Sequence, residues 1–381
     1  MCPEYDMHVC MISDQLAPNL FPVVDKKLAP KDKKVIMLVT QAMQEKANNL
    51  NKTFKNYGIS SVTVNINDPY NFFEIQEKLC DCLIQYKDKN IILNLTGGTK
   101  IMTIAAQSIF DMEKKPMFYV KERDNTALIM QGNKVIDNID LDIKLKIKDY
   151  LFAYGYSISF HAANQYQYSE FTHELVSNIS KYQSSIGRIN SHVIKSNKKN
   201  ALTFQRGQED VYIAPFLDLC GKFGLLQADQ DTFTFSDLQA RQYVCGGWLE
   251  EYVYETVNQI GKQKIQDKAL NMTIKSLQKS VENELDVAFL AKNCLHMIEC
   301  KTGKLENEKG GDVLYKLYTL SDKLGLKAKS MLVSYRNIDN ISKNERLYQH
   351  KKRADEYKIR VVQSEELINL KNHLEKWIAE N

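Results

Sequence analysis

No run in this 381-residue chain approaches the ~20 consecutive apolar residues of a membrane span, so no membrane-embedded part is expected. The first residues include acidic side chains and lack a continuous apolar core, which argues against a secretory signal. The eight cysteines form no CxxC pair, and the seven histidines show neither HExxH nor zinc-finger spacing, so the common zinc sites are excluded. Several cysteines sit in apolar runs, where a reduced buried thiol is the expectation. With no signal present, that points to a soluble, cytoplasmic protein. An excess of one charge is also missing. Fifty-one basic and 47 acidic residues leave +4, so any surface for a polyanion must be local. No internal repeat and no low-complexity tract is present. What is present is a globular composition, 44% hydrophobic and 26% charged, on a chain long enough for two or three domains.

From residue 7 to about 120, short apolar runs alternate with amphipathic segments. Residues 7–13, 35–40, 61–66, 91–95, 117–120 and 127–130 read as strands. Residues 41–57, 72–86 and 100–113 read as helices, the last with Ile101, Ile104, Ala105, Ser108, Ile109 and Met112 on one face. That alternation predicts an α/β fold, a Rossmann-like parallel sheet covered on both faces, over residues 1–148. Residues 149–240 are rich in Tyr, Asn, Ser and Lys. Their clearest module, 212–226 followed by 232–235, is either a small α+β, winged-helix-like unit or a connector packing one domain on the other. The absence of a basic helix face favours the connector. Residues 241–381 return to α/β, with helices over 247–260, 313–324 and a last one capped by Ser364, and strands over 285–290, 295–301, 330–334 and 359–362.

Two segments carry chemistry. The first is Asn94-Leu95-Thr96-Gly97-Gly98-Thr99-Lys100, between an aliphatic strand and a helix. Two glycines let backbone N–H groups approach an anion, the helix N-terminus adds its dipole, and Thr96, Thr99 and Lys100 add hydroxyls and a charge. It is neither GxGxxG nor GxxxxGK[ST], so no dinucleotide cofactor and no triphosphate-hydrolysis site is indicated. The turn is therefore a phosphate or ribose site, or simply a helix cap. Ser13-Asp14-Gln15 and Thr40-Gln41-Ala42-Met43 follow the first two strands. In a parallel sheet all three loops leave the same carboxyl edge, which favours a ligand site.

The second segment is a β-hairpin. A four-residue loop at 291–294 pairs Leu290 with Leu295 and sets Asp286 opposite Glu299, with Lys301 on the same face two residues on. Two carboxylates on otherwise apolar strands need a counter-charge, and a divalent metal supplies one. Asp286 and Glu299 offer hard oxygen ligands for Mn²⁺ or Mg²⁺, and Lys301 can hold a phosphate or lower the pKa of a bound water. The alternative is a salt-bridge ladder on a solvated face, for which the flanking residues are too apolar. Glu250, on the helix before the hairpin, shares a face with Val253, Tyr254 and Val257, so it is either a further acidic member of the site or a surface charge.

An acid on one strand and Glu-x-Lys on the next, here Asp286 and Glu299-Cys300-Lys301, resembles the PD-(D/E)XK nuclease superfamily. With Gly246-Gly247-Trp248-Leu249-Glu250 upstream and Tyr315-Lys316-Leu317 downstream, the segment is similar to the restriction-endonuclease-like domain of one CRISPR-associated group. No proline precedes Asp286, a departure from the superfamily's name. The loops at Ser13–Gln15, Thr40–Met43 and Asn94–Lys100 resemble those of a CARF domain, the sensor of cyclic oligoadenylates in type III CRISPR immunity. The resemblance implies a homodimer that binds cyclic tetra-adenylate across its two-fold axis and then degrades DNA, and in some members single-stranded RNA, with Mn²⁺ or Mg²⁺. It places Thr96, Gly97, Gly98, Thr99 and Lys100 on the activator, helped by Ser13, Gln15, Thr40 and Gln41. Asp286, Glu299 and Lys301 would be catalytic, with Glu250 and Glu284 as further candidates. Two rivals remain open: a ligand-gated transcription regulator, and a ring nuclease that destroys its own activator at Gly97-Gly98.

Overall fold

The computed structural model describes residues 4–121, 124–160, 168–195, 203–205, 213–229, 232–303, 308–325, 327–337 and 345–380. The first sheet is built from β1 (Met7–Met11), α1 (Ala17–Val24), β2 (Lys34–Thr40), α2 (Gln44–Asn56), β3 (Ser60–Ile66), α3 (Phe72–Gln85), β4 (Ile91–Asn94), α4 (Lys100–Met112), β5 (Met117–Lys121), β6 (Thr126–Gln131) and β7 (Lys134–Asp140). Its order is β3-β2-β1-β4-β5-β6-β7, parallel through β5 and antiparallel beyond. β1, β2 and β4 are almost wholly buried, as strands covered on both faces must be. Alternation divides them cleanly. Met7, Val9 and Met11 join the core under α3 and α4, whereas Cys10 and Ile12 join the core under α1 and α2.

Two expectations for this half need correction. Residues Met102, Ala105, Ala106, Ile109 and Phe110 are the buried stripe of α4, while Ile104 is 54% and Met112 68% exposed. The helix carries apolar residues around more than one face, so periodicity alone selected a stripe rotated from the true one. Helix α1 was not foreseen, because it is eight residues long, contains two prolines and has no side-chain cap.

The second sheet draws on α5 (Ile147–Ala153), β8 (Tyr156–Phe160), α6 (Ser169–Ser177), α7 (Ile179–Lys195), β9 (Thr203–Gln205), α8 (Ala214–Lys222), β10 (Leu226–Asp229), β11 (Thr232–Phe235), α9 (Leu238–Gln242), α10 (Trp248–Ile260), β12 (Asp267–Ser276), β13 (Glu282–Ala291), β14 (Cys294–Lys301), α11 (Glu308–Lys323), β15 (Lys329–Ser334), α12 (Glu345–Glu356), β16 (Arg360–Gln363) and α13 (Leu370–Ala379). Six strands run β16-β15-β14-β13-β12-β8, and β10-β11-β9 form a separate small antiparallel sheet. Residue 212, the expected start of the helix before β10, lies outside the described residues. Strand β12 is absent from the sequence reading although Leu270, Met272 and Ile274 alternate as the buried face of a strand. The last helix is preceded by a turn capped by Gln363 and Glu366, not by Ser364, which takes a left-handed φ of 51°.

The two large sheets share one core. Leu16, Phe21 and Val35 belong to the same cluster as Tyr150 and Leu151 of α5 and Ile274, Leu290 and Leu324 beyond it. Hydrogen bonds stitch the seam: the Tyr57 hydroxyl donates to Asp149 at 2.8 Å, and the Tyr150 hydroxyl donates to the Leu324 carbonyl at 2.7 Å. A continuous apolar core couples the unfolding of its parts. Thermal unfolding followed by fluorescence of the two tryptophans, both beyond residue 240, should therefore share a midpoint with loss of amide protection in β1, β2 and β4. Separate midpoints would show that the sheets fold independently.

Candidate functional site

At the carboxyl edge of the first sheet, a buried amide network joins the ends of β1 and β4. The Asn94 side chain donates at 2.9 Å to both the Pro18 carbonyl and Asn19, accepts the Thr96 N–H at 2.9 Å, and Asn19 donates to the Met11 carbonyl at 2.9 Å. The glycine turn lies hard against β1. A Cβ on Gly97 would sit 2.3 Å from the Met11 carbonyl oxygen and 3.4 Å from Ser13 Oγ, and Gly98 has φ +84°. The closest neighbour of these glycines is therefore the chain's own β1, which explains both without a ligand.

The hydroxyls of the turn are committed to structure. Thr96 accepts the Val120 N–H at 2.8 Å. Thr99 caps α4 by accepting from Met102 at 3.1 Å and donates to the Pro69 carbonyl at 3.1 Å. Lys100 is exposed on the first turn of α4, Thr40 is buried at the end of β2, and Gln41 is exposed. Ser13 Oγ donates to the Gln15 carbonyl at 3.4 Å, and Asp14 pairs with Lys46 of α2. The loops that sequence grouped thus do meet at one edge. Lys100 is exposed beside them, whereas the hydroxyls of Thr96 and Thr99 are already bonded.

The hairpin forms in the expected register, Leu290 opposite Leu295 and Val287 opposite Ile298. Its loop is two residues, not four. Ala291 still pairs with Cys294, and Lys292 and Asn293 both take left-handed φ, as a tight right-twisted hairpin turn requires. At the other end the Asp286 carboxylate accepts the Cys300 N–H at 2.7 Å. Asp286 is 7% and Glu299 3% exposed. Lys301 lies 2.7 Å from one Glu299 oxygen, and Lys316 of α11 lies 3.0 Å from the other. Glu250 faces the sheet and accepts from the Asn271 amide at 3.0 Å, while Glu284 is exposed two residues before Asp286.

Burial, then the charges of Glu299 and Glu250, pushes the Asp286 carboxyl up to about 7. Burial raises Glu250 too, against the pull of the Asn271 hydrogen bond. For Lys301, burial works downward but Glu299 and Asp286 outweigh it, so the ammonium is held above its ordinary value. Lys301 is therefore a fixed cation and no base at neutral pH. The sequence motifs include Lys316 and Asn94 without a role for either, and they leave out Asn19 and Asn271. Among the described residues no set of three or more His, Cys, Asp and Glu side chains is gathered to hold a metal. What fits one is the pair Asp286 and Glu299, with the buried Asn271 Oδ1, which lacks a hydrogen-bond partner, beside Glu250. All are hard oxygens.

A nucleotide-sensor type of sheet, fused through one core to a sheet carrying Asp286 and Glu299-x-Lys301, defines a nuclease under the control of a CARF domain. The model of the Card1 CARF domain matches residues 7–150, and that of the Card1-like endonuclease domain matches residues 237–381. The structure of Can2 from Sulfobacillus thermosulfidooxidans in complex with cyclic tetra-adenylate is 30% identical, with a TM-score of 0.80 over 98% of each chain. The chain belongs to this family of CARF-domain nucleases. Protein VC1899 from Vibrio cholerae shares the fold, at 24% identity and a TM-score of 0.85 over 98% of this chain and 97% of that one. A type III CRISPR defence DNA nuclease activated by cyclic oligoadenylate shares it more distantly, at 16% identity and 0.55, over 88% of this chain and 46% of that one. No curated protein matches. Among the described residues no helix is long and apolar enough to cross a membrane.

The raised carboxyl has a consequence for stability. Folded Asp286 keeps its proton up to about 7, whereas the unfolded chain releases it near 3.8. That contribution is present below the unfolded value and is lost as pH rises through the folded one. In chelator, wild-type protein should lose melting temperature relative to Asp286→Asn as pH is raised from about 5 to about 8. Parallel curves would show that Asp286 is not strained by its burial.

Proposed function

We propose that this chain is a homodimeric, metal-dependent nuclease switched on by cyclic tetra-adenylate in type III CRISPR antiviral defence, cutting DNA and, as a second substrate class, single-stranded RNA. The observation that carries the catalytic half is the buried pair Asp286 and Glu299 with Lys301 at 2.7 Å from Glu299. Can2, 30% identical across the whole chain, is recorded with cyclic tetra-adenylate, which supports the choice of activator.

Asp286 and Glu299 would hold Mn²⁺ or Mg²⁺, with Glu250 and Asn271 beside them. The metal supplies Lewis-acid charge and a water of lowered pKa. Lys301, kept cationic by its acidic neighbours, offsets negative charge growing on the phosphate in the transition state. Hydrolysis breaks one phosphodiester P–O bond and adds water across it. At the other end, Lys100 would meet an activator phosphate, helped by the backbone of Gly97 and Gly98 and by Ser13, Gln15, Thr40 and Gln41. Thr96 and Thr99 would act by shaping the turn, since their hydroxyls are already bonded.

The homodimer has support in an apolar surface. Phe73 (79%) and Ile84 (71%) of α3, with Ile104 and Met112 of α4, project from the outer side of the first sheet's helical layer. Large exposed apolar side chains gathered on one layer mark an interaction surface. A ring with phosphates all round suits two copies of the same half-site.

Two measurements test this reading. Asp286→Ala and Glu299→Ala should abolish activator-stimulated cutting of labelled DNA and leave cyclic tetra-adenylate affinity within a few-fold. Lys100→Ala should do the reverse, weakening ligand binding by roughly tenfold or more and preserving the maximal rate. Metal-dependent cutting by either carboxylate variant would remove those residues from the site. Light scattering of the free protein should give close to twice 44.0 kDa, and Phe73→Glu together with Ile104→Glu should reduce it to one. A wild-type monomer would defeat the dimer.

A further inference from the structure

Lys316 is held by two settings at once. Its ammonium lies 3.0 Å from Glu299 Oε2, its side chain is 30% exposed, and the side chain it touches is almost fully buried. The other Glu299 oxygen is taken by Lys301, which arrives on the same strand. Lys316 comes from a different element, α11, whose residues Tyr315, Lys316, Thr319 and Lys323 form one wall of a cleft of about 740 Å³ between the two large sheets. Asp14, Gln15 and Lys46, on the sensor edge, line the opposite wall. Asp14 pairs with Lys46 there, so the cleft has an ion pair at the sensor and another at the nuclease site. The far end of α11 is tied into the shared core by the bond from Tyr150 to Leu324.

Contacts set the role. Both ammoniums, Lys301 and Lys316, lie on the one carboxylate of Glu299, each on its own oxygen. A divalent cation that takes Glu299 meets a monovalent one already on the oxygen it needs. Of the two lysines, Lys301 is fixed by its strand, whereas Lys316 can leave by a small rotation into the cleft. We propose that Lys316 is the internal counter-cation of the nuclease site: it positions Glu299 and competes with the metal for it. Being a wall of the cleft that the β1 loop reaches, it is also where occupancy of the sensor is felt. This rests on the metal-dependent nuclease reading above.

The test is Mn²⁺ binding to the full-length protein, read by electron paramagnetic resonance without nucleic acid, for wild type, Lys316→Gln, Lys316→Arg and Lys323→Gln. Lys323 lines the same cleft from the same helix. Removing a competing charge should lower the Mn²⁺ dissociation constant about tenfold or more in Lys316→Gln, because the metal no longer displaces a cation. Lys316→Arg and Lys323→Gln should stay near wild type. Adding cyclic tetra-adenylate should tighten Mn²⁺ binding to wild type and leave Lys316→Gln unchanged. Binding by Lys316→Gln that is equal to or weaker than wild type overturns the inference while leaving the nuclease reading intact. So does an equal response of both proteins to the activator. Absence of Mn²⁺ binding and of metal-dependent cutting by wild type overturns the nuclease reading, and the inference with it.

Discussion

Glu299 is the residue on which much of the second half depends. It sits on β14, flanked by β13 on one side and β15 on the other, so its carboxylate leaves water almost completely. Burying an unpaired carboxylate there costs several kcal/mol, and the surroundings must supply counter-charge. One cation comes free with strand periodicity, since Lys301 lies two residues on. The second requires α11 to be docked over β15 and bonded to the shared core through Leu324. A local demand of the chemistry thus fixes where a long helix lies. That helix then forms one wall of the cleft to the sensor.

The sensor edge obeys a different constraint. Its strands are aliphatic and would leave their ends ragged, but Asn94 and Asn19 fasten β4 to β1 with buried amide bonds. A buried amide network of this kind is stable only when its members are satisfied. The glycines then bring the turn close enough to β1 for the backbone to define one edge. Under the proposed function, an activator phosphate would meet Lys100 and the loops at Ser13 and Thr40 at this edge.

Periodicities of 2 and 3.6 made much of this legible in the sequence. The Asp286 and Glu299 register follows from counting outward along the hairpin, and the inward face of Glu250 follows from helical spacing. Both depend on backbone geometry alone. The failures have local physical causes. Lys292-Asn293 is not among the strong signals for a left-handed hairpin turn, so the loop was made too long. Prolines hid α1, whereas β12 was legible from the alternation of Leu270, Met272 and Ile274. Lys316 could not have been assigned, because nothing in the sequence says that α11 returns over Glu299. Asn94 was visible as a polar residue ending an aliphatic run, but its partner Asn19 carries no signal.

The segment between the sheets changes how switching must work. A flexible connector after residue 148 would let the nuclease half swing. Instead β8 pairs with β12 as the edge strand of the nuclease sheet, and α5 is buried in the core common to both sheets. Helix α7 buttresses the end of β15: Gln183 donates to the Tyr335 carbonyl at 3.0 Å, and the Arg336 guanidinium fills the space beside Gly187. Phe171 and Phe216 of the same segment share a core with Trp248, Val287 and Val333. Within one chain, a domain swing would have to break that packing, at a cost far above the few kcal/mol that differential ligand binding supplies. Shifts of side chains and of one helix across a solvent-filled cleft cost much less. The physics therefore favours a switch made of small displacements inside a fused body.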